Sequence, residues 1–223
     1  MNWSEIVQNL IIWAPGVIFA ITLHEWAHGF MADRFGDPTA RNMGRLSLNP
    51  IVHIDPVWTI ALPAVMLAVS LATVGQPMAF GGAKPVPVNP RNFKGRFKTA
   101  MLWVAAAGPG MNLLLALLCA LAIHGVLLLP PFFASPVAQM LQAAIFMNVL
   151  LAVFNMLPLP PLDGGRVAVS LLPHPADMWL ARMERFGLPI LILLIFTGVV
   201  GQIIWPAISA LLHFYFELAG VMG

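Results

Sequence analysis

Five long apolar segments dominate this chain, and they restrict its possible folds more than any other feature of the sequence. They cover residues 6–31, 57–74, 99–129, 136–157 and 188–216. A helix needs about 20 apolar residues to cross the hydrocarbon core of a bilayer, and most of these segments reach that length. Only 9% of the 223 residues are charged, which is too few to cover the surface of a soluble domain. The segments therefore predict an all-α polytopic membrane protein, a single domain over residues 1–223 with about 4 to 6 transmembrane or re-entrant helices.

The balance of charges and the cysteine count exclude several other classes of protein. The chain has 11 Lys and Arg against 9 Asp and Glu, and this net charge of +2 gives no basis for binding nucleic acid. Cys119 is the single cysteine, which excludes an internal disulfide and a thiolate metal cage. The first ten residues carry no Lys or Arg and no small-residue cleavage pattern follows them, so we expect no signal peptide. The composition implies the lipid bilayer as a partner and leaves the oligomeric state open.

A polar cluster, His24-Glu25-Trp-Ala-His28, lies inside the first apolar segment. On a helix, His24 and His28 lie on one face one turn apart, so both imidazoles can reach one metal ion. Glu25 points about 100° away from His24, which suits a base beside the metal better than a ligand. A charged side chain in the middle of a membrane helix costs about 2.5–3.5 kcal/mol, and metal coordination would offset this cost. The alternative is a hydrogen-bonded polar seam between helices.

A tetrahedral zinc site for hydrolysis has three protein ligands and one position for water, so two histidines leave it one protein ligand short. The candidates for that ligand are Asp163, His53, Asp55, His124, His174 and His213. Asp163 follows a proline-rich turn and precedes two glycines, so a broken segment could return its carboxylate to the metal. Alternatively, Asp163 caps the helix that begins near Arg166. His53 and Asp55 are the runners-up, either as the third ligand or as hydrogen-bond partners of a ligand.

The proline-rich stretch between the second and third apolar segments predicts a short, membrane-associated β segment near residues 78–88. Successive N–H groups of a strand point to opposite edges, so Pro85 and Pro87 remove donors from one edge only. Lys84, Val86 and Val88 keep their N–H groups on the other edge. We therefore expect a strand with one blocked edge and one edge that is free to pair.

Three motifs, taken in order along the chain, resemble a known family. They are His24-Glu-Trp-Ala-His28, Gly108-Pro-Gly-Met-Asn112, and the stretch 155–165 that ends in Leu-Asp-Gly-Gly. Together they resemble the site-2 protease family of intramembrane zinc metalloproteases, with core motifs over residues 22–166. No stretch is polar or long enough for a PDZ or CBS domain, so the likeness is to the small bacterial members without them.

The resemblance implies a set of roles for residues of this sequence. His24, His28 and Asp163 would bind one zinc ion per chain, and Glu25 would be the catalytic base. Asn155 would contact the substrate backbone or the developing oxyanion, and the strand over residues 80–88 would align the substrate through Lys84, Val86 and Val88. The activity implied is hydrolysis of peptide bonds within or near transmembrane segments of single-span membrane proteins. An ion transporter or a non-catalytic membrane scaffold with the same polar cluster is the alternative.

The positions of the basic residues bear on topology. All Lys and Arg lie within residues 34–45, 84–98 and 166–185. If segment 57–74 is re-entrant rather than spanning, these three regions fall on one side, which the positive-inside rule makes cytoplasmic. The same arrangement brings His24, His28 and Asp163 to one depth. We therefore expect a multi-pass protein of the inner (plasma) membrane with its active site toward the cytoplasm, and a C-terminal transmembrane helix over about 188–216.

Overall fold

A computed structural model describes residues 3–61, 64–65, 69, 82–126 and 128–221. Within these ranges the chain forms eight α-helices. They are α1 (Trp3–Arg34), α2 (Thr39–Asn42), α3 (Phe97–Val126), α4 (Pro131–Asn155), α5 (Asp163–Leu171), α6 (Ala176–Arg182), α7 (Glu184–Phe196) and α8 (Val199–Leu218). Short 3-10 helices at Pro50–His53 and Pro90–Asn92, and a π-helical turn at Pro56–Ala61, lie between α2 and α3. The predicted all-α fold class is confirmed.

Four helices, α1, α3, α4 and α8, are long and apolar enough to cross a membrane. Large apolar side chains on their outer faces, such as Trp103 and Leu118, are about half exposed, as expected for surfaces that meet lipid. The apolar segments 6–31, 99–129 and 136–157 correspond to α1, α3 and α4. Pro109 lies inside α3, which continues through it. The protein is therefore membrane-embedded.

Helix α3 lies at the centre of the bundle, where it packs against α1, α4 and α5, while α8 packs against α4. Small residues allow these close approaches. Gly16 of α1 is buried against α4, and a Cβ at this position would lie 2.9 Å from the Cα of Ala144. The backbones of α1 and α4 therefore meet almost directly, which holds the two helices that lead to the polar cluster in a fixed relation.

The C-terminal apolar segment differs from its prediction. The sequence predicts one transmembrane helix over residues 188–216, but these residues belong to two helices, α7 and α8. Gly198 separates them in the left-handed conformation, with φ +76°, and donates its N–H to the carbonyl of Ile195. Glycine adopts this conformation without a steric penalty and commonly ends helices in this way. Of the two helices, α8 alone is long enough to span.

The predicted β segment is not formed by the residues that the structure describes. Residues 82–89 carry no strand pairing, and residues 78–81 of the predicted segment lie outside the described ranges. The prediction that Lys84, Val86 and Val88 have free backbone N–H groups is also wrong for two of these residues. The N–H of Lys84 donates to the carbonyl of His53 at 2.8 Å, and that of Val86 to a carboxylate oxygen of Glu25 at 2.9 Å. Local proline content favours extended backbone but supplies no partner strand.

Segment 57–74, predicted to be spanning or re-entrant, lies mostly outside the described residues. The chain is described again from Gly82, however, and this part lies next to the start of the segment. The hydroxyl of Thr59 donates to the carbonyl of Gly82 at 2.7 Å, next to the backbone hydrogen bond between Lys84 and His53. The residues on either side of the undescribed stretch, Thr59 and Gly82, are thus neighbours.

The close approach of α1 and α4 can be tested with a matched pair of glycine substitutions. Gly16→Ala should lower the free energy of unfolding by about 1–3 kcal/mol, because the backbone of Ala144 must move to admit the methyl group. Gly201→Ala, at an exposed helical position with nothing within 4 Å, should instead raise it by about 0.5–1 kcal/mol. Unfolding in detergent measures both. Equal effects of the two substitutions would contradict the packing described.

Candidate metal centre

Two separate parts of the chain supply the polar residues of the site. His24, Glu25 and His28 lie in the C-terminal third of α1, and Asp163 begins α5 after the turn that follows α4. Gly165 lies against that turn, because a Cβ there would come within 2.7 Å of the Cα of Pro160. The glycines after Asp163 are therefore needed for close packing of α5 on the proline-rich turn, and this packing directs the carboxylate toward α1.

His24, His28 and Asp163 form a compact group, here called the metal triad. In the described part of the chain, no other three His, Cys, Asp or Glu side chains come close enough together to hold one ion. The two Nε2 atoms lie 3.1 Å apart, and each lies 3.2 Å from Oδ2 of Asp163. A tetrahedral zinc ion with bonds of about 2.0–2.1 Å keeps its ligands roughly 3.3 Å apart. The donor spacing therefore fits zinc without rearrangement of the helices.

The hydrogen bonds of His24 determine which of its ring nitrogens carries the proton. The Nδ2 group of Asn112 donates to the carbonyl of Ala20 at 3.1 Å and to Oδ1 of Asn148 at 2.9 Å. The amide oxygen of Asn112 must therefore face His24, where it lies 2.6 Å from Nδ1. Because this oxygen can only accept, Nδ1 of His24 is the donor, and Nε2 of the neutral ring presents its lone pair to the metal triad.

The ring of His28 also carries a proton on Nδ1, because that nitrogen has a backbone hydrogen-bond partner. Its Nδ1 lies 2.7 Å from the carbonyl oxygen of Val104 on α3, and a carbonyl can only accept. With Nδ1 of each ring donating, Nε2 is the nitrogen of each histidine that can bind a metal, and both Nε2 atoms converge beside a carboxylate. Three donor atoms at this spacing attract a cation, so the donor set fits a metal.

Gly108 closes one side of the metal triad. A Cβ at this position would lie 2.6 Å from Nε2 of His24 and closer still to that of His28, so any side chain here would collide with the ligands. The backbone of α3 therefore lies directly against both imidazoles. This contact gives a physical reason for the glycine in the Gly108-Pro-Gly-Met-Asn112 motif, whose last residue holds His24.

Glu25 lies beside the metal triad and outside it. It lines a cavity of about 170 Å³ together with the three triad residues. One carboxylate oxygen accepts the N–H of Val86, which leaves the second oxygen for exchange of a proton. A larger cavity of about 660 Å³ adjoins the first, and Val86, Val88 and Arg166 line both.

The remaining predicted site residues fall into two groups. Asn155 and Val88 line the smaller cavity, where Nδ2 of Asn155 donates to the carbonyl of Leu151 at 2.9 Å.

His53 lies outside the metal triad, buried, with Nε2 2.9 Å from the carbonyl of Ser47. The other candidate ligands also have partners elsewhere: Asp55 accepts from the N–H of Val57, His124 contacts the carbonyl of Leu218, His174 lies near Asp177, and His213 lies near Glu217.

Asn148 is a residue of the site that the sequence reasoning missed. It is 2% exposed in the middle of α4 and orients Asn112, while its own Nδ2 donates to the carbonyl of Ala144. A buried amide in a membrane helix needs a partner inside the protein. Its presence in the apolar segment 136–157 was therefore a signal available in the sequence.

The fold and the site together define a membrane-embedded metalloprotease, and comparison with known proteins agrees with this class. The chain is 37% identical over 199 residues to "Putative zinc metalloprotease YwhC" of Bacillus subtilis (strain 168), covering 87% of this chain and 84% of that protein. It is 31% identical over 219 residues to "Putative zinc metalloprotease Rip2" of Mycolicibacterium smegmatis, covering 96% of this chain and 76% of that protein. No solved structure matches the chain significantly.

The family model for peptidase family M50 matches residues 123–197, a range that includes Asp163. The chain belongs to peptidase family M50, the site-2 protease family. The resemblance noted in the three sequence motifs is thereby confirmed.

Asn112 should be required for tight zinc binding, because it fixes the orientation and the proton position of His24. We expect Asn112→Leu to weaken zinc affinity about 10- to 100-fold, and Asn148→Leu to weaken it less, since Asn148 acts through Asn112. Competition with a chelator measures the dissociation constant. Gln202→Leu, at an exposed position of α8, is the matched control. Wild-type affinity in Asn112→Leu would contradict the role given to this amide.

Proposed function

We propose that this protein is an intramembrane zinc metalloprotease that hydrolyses peptide bonds within or near the transmembrane segments of single-span membrane proteins. Its family and its relatives are those of zinc metalloproteases. The observation that carries the proposal is the convergence of two imidazole Nε2 atoms and a carboxylate beside Glu25, inside an apolar helix bundle. Such a set serves hydrolysis, which needs a metal, a base and an open position for water.

The chemistry divides between the metal and the residues around it. Zinc held by His24, His28 and Asp163 would acidify a water molecule toward a pKa of ~7 and polarise the substrate carbonyl. Glu25, within the same cavity, takes a proton from the water and returns it to the leaving amine. Asn155 lines this cavity and can offer its remaining N–H to the developing oxyanion.

Substrate binding requires an unwound polypeptide, because a helix keeps its carbonyls in its own hydrogen bonds. Unwound backbone in a membrane needs partners, and strand addition beside the metal centre would supply them. Of the three donors predicted to pair with substrate, Lys84 and Val86 are engaged within the protein. The N–H of Val88 has no partner within the described ranges, so Val88 is the donor we assign to substrate.

Water and the polar end of the substrate reach the site, in this proposal, through the larger cavity of about 660 Å³. Two ion pairs line it, Lys98 with Asp177 at 2.7 Å and Arg166 with Glu184 at 3.9 Å. Arg166 also lines the smaller cavity with the metal triad. A charged vestibule that narrows to the metal would admit water to a site surrounded by apolar helices.

The alternative functions are less well supported. An ion transporter needs polar groups along several spanning helices. Here the buried polar groups of α1, α3 and α4 converge on the metal triad, as the bonds of Asn112 and Asn148 illustrate. A scaffold without catalysis would not need Glu25 beside three metal donors.

For topology, we propose a multi-pass protein of the plasma membrane with its amino terminus outside and its metal centre near the cytoplasmic face. The proximity of the chain before and after residues 62–81 supports this, since Gly82 and Lys84 are hydrogen-bonded to Thr59 and His53. A single crossing between Thr59 and Gly82 would place them about 30 Å apart. With no net crossing there, the three basic regions fall on one side, which the positive-inside rule makes cytoplasmic.

Replacing the base tests the enzymatic proposal. Glu25→Gln should retain zinc, because Glu25 is not a ligand, and should lose cleavage of a single-span substrate by about 10²-fold or more. Asp163→Ala should lose both zinc and activity. Glu217→Gln, the same substitution at an exposed site on α8, is the control and should behave as wild type. Zinc analysis and substrate cleavage are measured on the same samples. Full activity in Glu25→Gln would contradict the mechanism.

Reporter fusions test the topology. A reporter joined at residues 75–77 should report a cytoplasmic location, because the segment makes no net crossing in the proposed arrangement. A fusion at Leu129, between α3 and α4, should report the opposite side and serves as the control. An extracytoplasmic location for the fusion at 75–77 would contradict the proposed topology.

A further inference from the structure

Asp37, outside the metal centre, is a buried carboxylate that receives four hydrogen bonds. Its Oδ1 accepts from the backbone N–H and the hydroxyl of Thr39 and, at 2.8 Å, from Nδ2 of Asn92; its Oδ2 accepts the N–H of Asn89 at 2.6 Å. The residue has no exposed surface. Burial raises the pKa of Asp37, but the hydrogen bonds from Thr39, Asn92 and Asn89 outweigh burial and hold the pKa below its usual value. Asp37 is therefore an ionised anchor for the chain near Asn89.

Arg45 anchors the other end of the same stretch, residues 84–89, here called the 84–89 segment. Its guanidinium donates to the carbonyl of Lys84 at 2.8 Å and lies 3.4 Å from that of Pro85. The N–H of Lys84 in turn donates to the carbonyl of His53. Arg45 is 9% exposed, so this anchor is also largely buried. The 84–89 segment is thus held at both ends by charged side chains, one from the loop between α1 and α2 and one from the loop after α2.

Between the two anchors, Val86 lies against α1 at the catalytic base. Its N–H donates to Oε2 of Glu25 at 2.9 Å, and its side chain is 8% exposed. A Cβ at Gly29, one turn beyond Glu25, would lie 2.9 Å from Cγ1 of Val86, so the segment fits directly onto the helix. Pro85 and Pro87 flank Val86 and stiffen the backbone that carries this N–H.

We propose that Asp37 and Arg45 are positioning residues for Glu25, acting through the 84–89 segment and its Val86 N–H. Neither residue is among those that line the cavity of the metal triad. The inference rests on the proposed function, because it takes Glu25 as the base. A base works only within hydrogen-bond reach of the proton that it takes, so a carboxylate released from Val86 would transfer protons less efficiently.

The test compares the same substitution at two aspartates of one region. Asp37→Asn replaces an acceptor oxygen with an NH2 group that faces N–H donors, which weakens the anchor. We expect kcat to fall about 10- to 100-fold, while KM and the zinc dissociation constant stay within about twofold. Asp33→Asn, which removes the ion pair with Arg41, should leave all three values unchanged. Lost zinc binding in parallel with activity would instead indicate general disruption and overturn the proposal.

Hydrogen exchange gives a readout that needs no substrate. Within residues 84–88 only Lys84, Val86 and Val88 have a backbone N–H, so a peptide from this region reports few amides. Exchange at Val86 should become faster in Asp37→Asn and in Glu25→Ala, and remain slow in Asp33→Asn. Unchanged exchange in Glu25→Ala would show that the contact with Val86 is absent in solution and would overturn the proposal.

Arg45→Met provides an independent variant at the opposite anchor, in case Asp37→Asn does not fold. It should reproduce the fall in kcat and the faster exchange at Val86 with zinc binding retained. Faster exchange without any loss of kcat would show that the segment does not position the base. The peptidase activity of the wild type is measured first. A zinc-loaded wild type without this activity contradicts the proposed function itself. If the wild type is active, the variants test whether Asp37 and Arg45 position Glu25.

Discussion

In a helix bundle surrounded by lipid, every polar group must find its partner inside the protein, and the metal centre depends on how this constraint is met. The protons on Nδ1 of His24 and His28 are committed to Asn112 and to the backbone of α3. What remains at the centre is the Nε2 atom of each ring, beside the carboxylate of Asp163. The bundle thus prepares both imidazoles for a cation by satisfying the other hydrogen bond of each ring elsewhere.

The proposed metal ligands and the proposed base, Glu25, are held by different parts of the chain. Helix α3 supports the imidazoles through the Gly108 backbone, Val104 and Asn112, whereas Glu25 is held by Val86 of an irregular segment. Loops beside a metal site can move more readily than packed helices, but charged anchors at both ends hold this one. The arrangement separates metal affinity from the placement of the base, so substitutions can affect one without the other.

Local patterns in the sequence were sufficient for part of the site. The spacing of His24 and His28 predicts their convergence, because residues four apart share a helix face. The place of Asp163 depends on contacts distant in sequence, so the residues alone left several candidate ligands and the family resemblance was needed to choose. The β segment failed because extended backbone becomes a strand only when a partner is present. The break at Gly198 was missed because a single glycine inside an apolar run does not reveal its φ value.

The contact between Gly108 and the imidazoles also determines how a foreign molecule can approach the site. At Gly108 the wall of the metal triad is main chain, so no side-chain truncation at this point can widen the centre. The smaller cavity has only about 170 Å³, and Pro85, Val86 and Val88 line both this cavity and the larger one. A chelating inhibitor that enters from the larger cavity would therefore contact these residues, and its selectivity among related enzymes would depend on groups that contact them rather than on the metal-binding group.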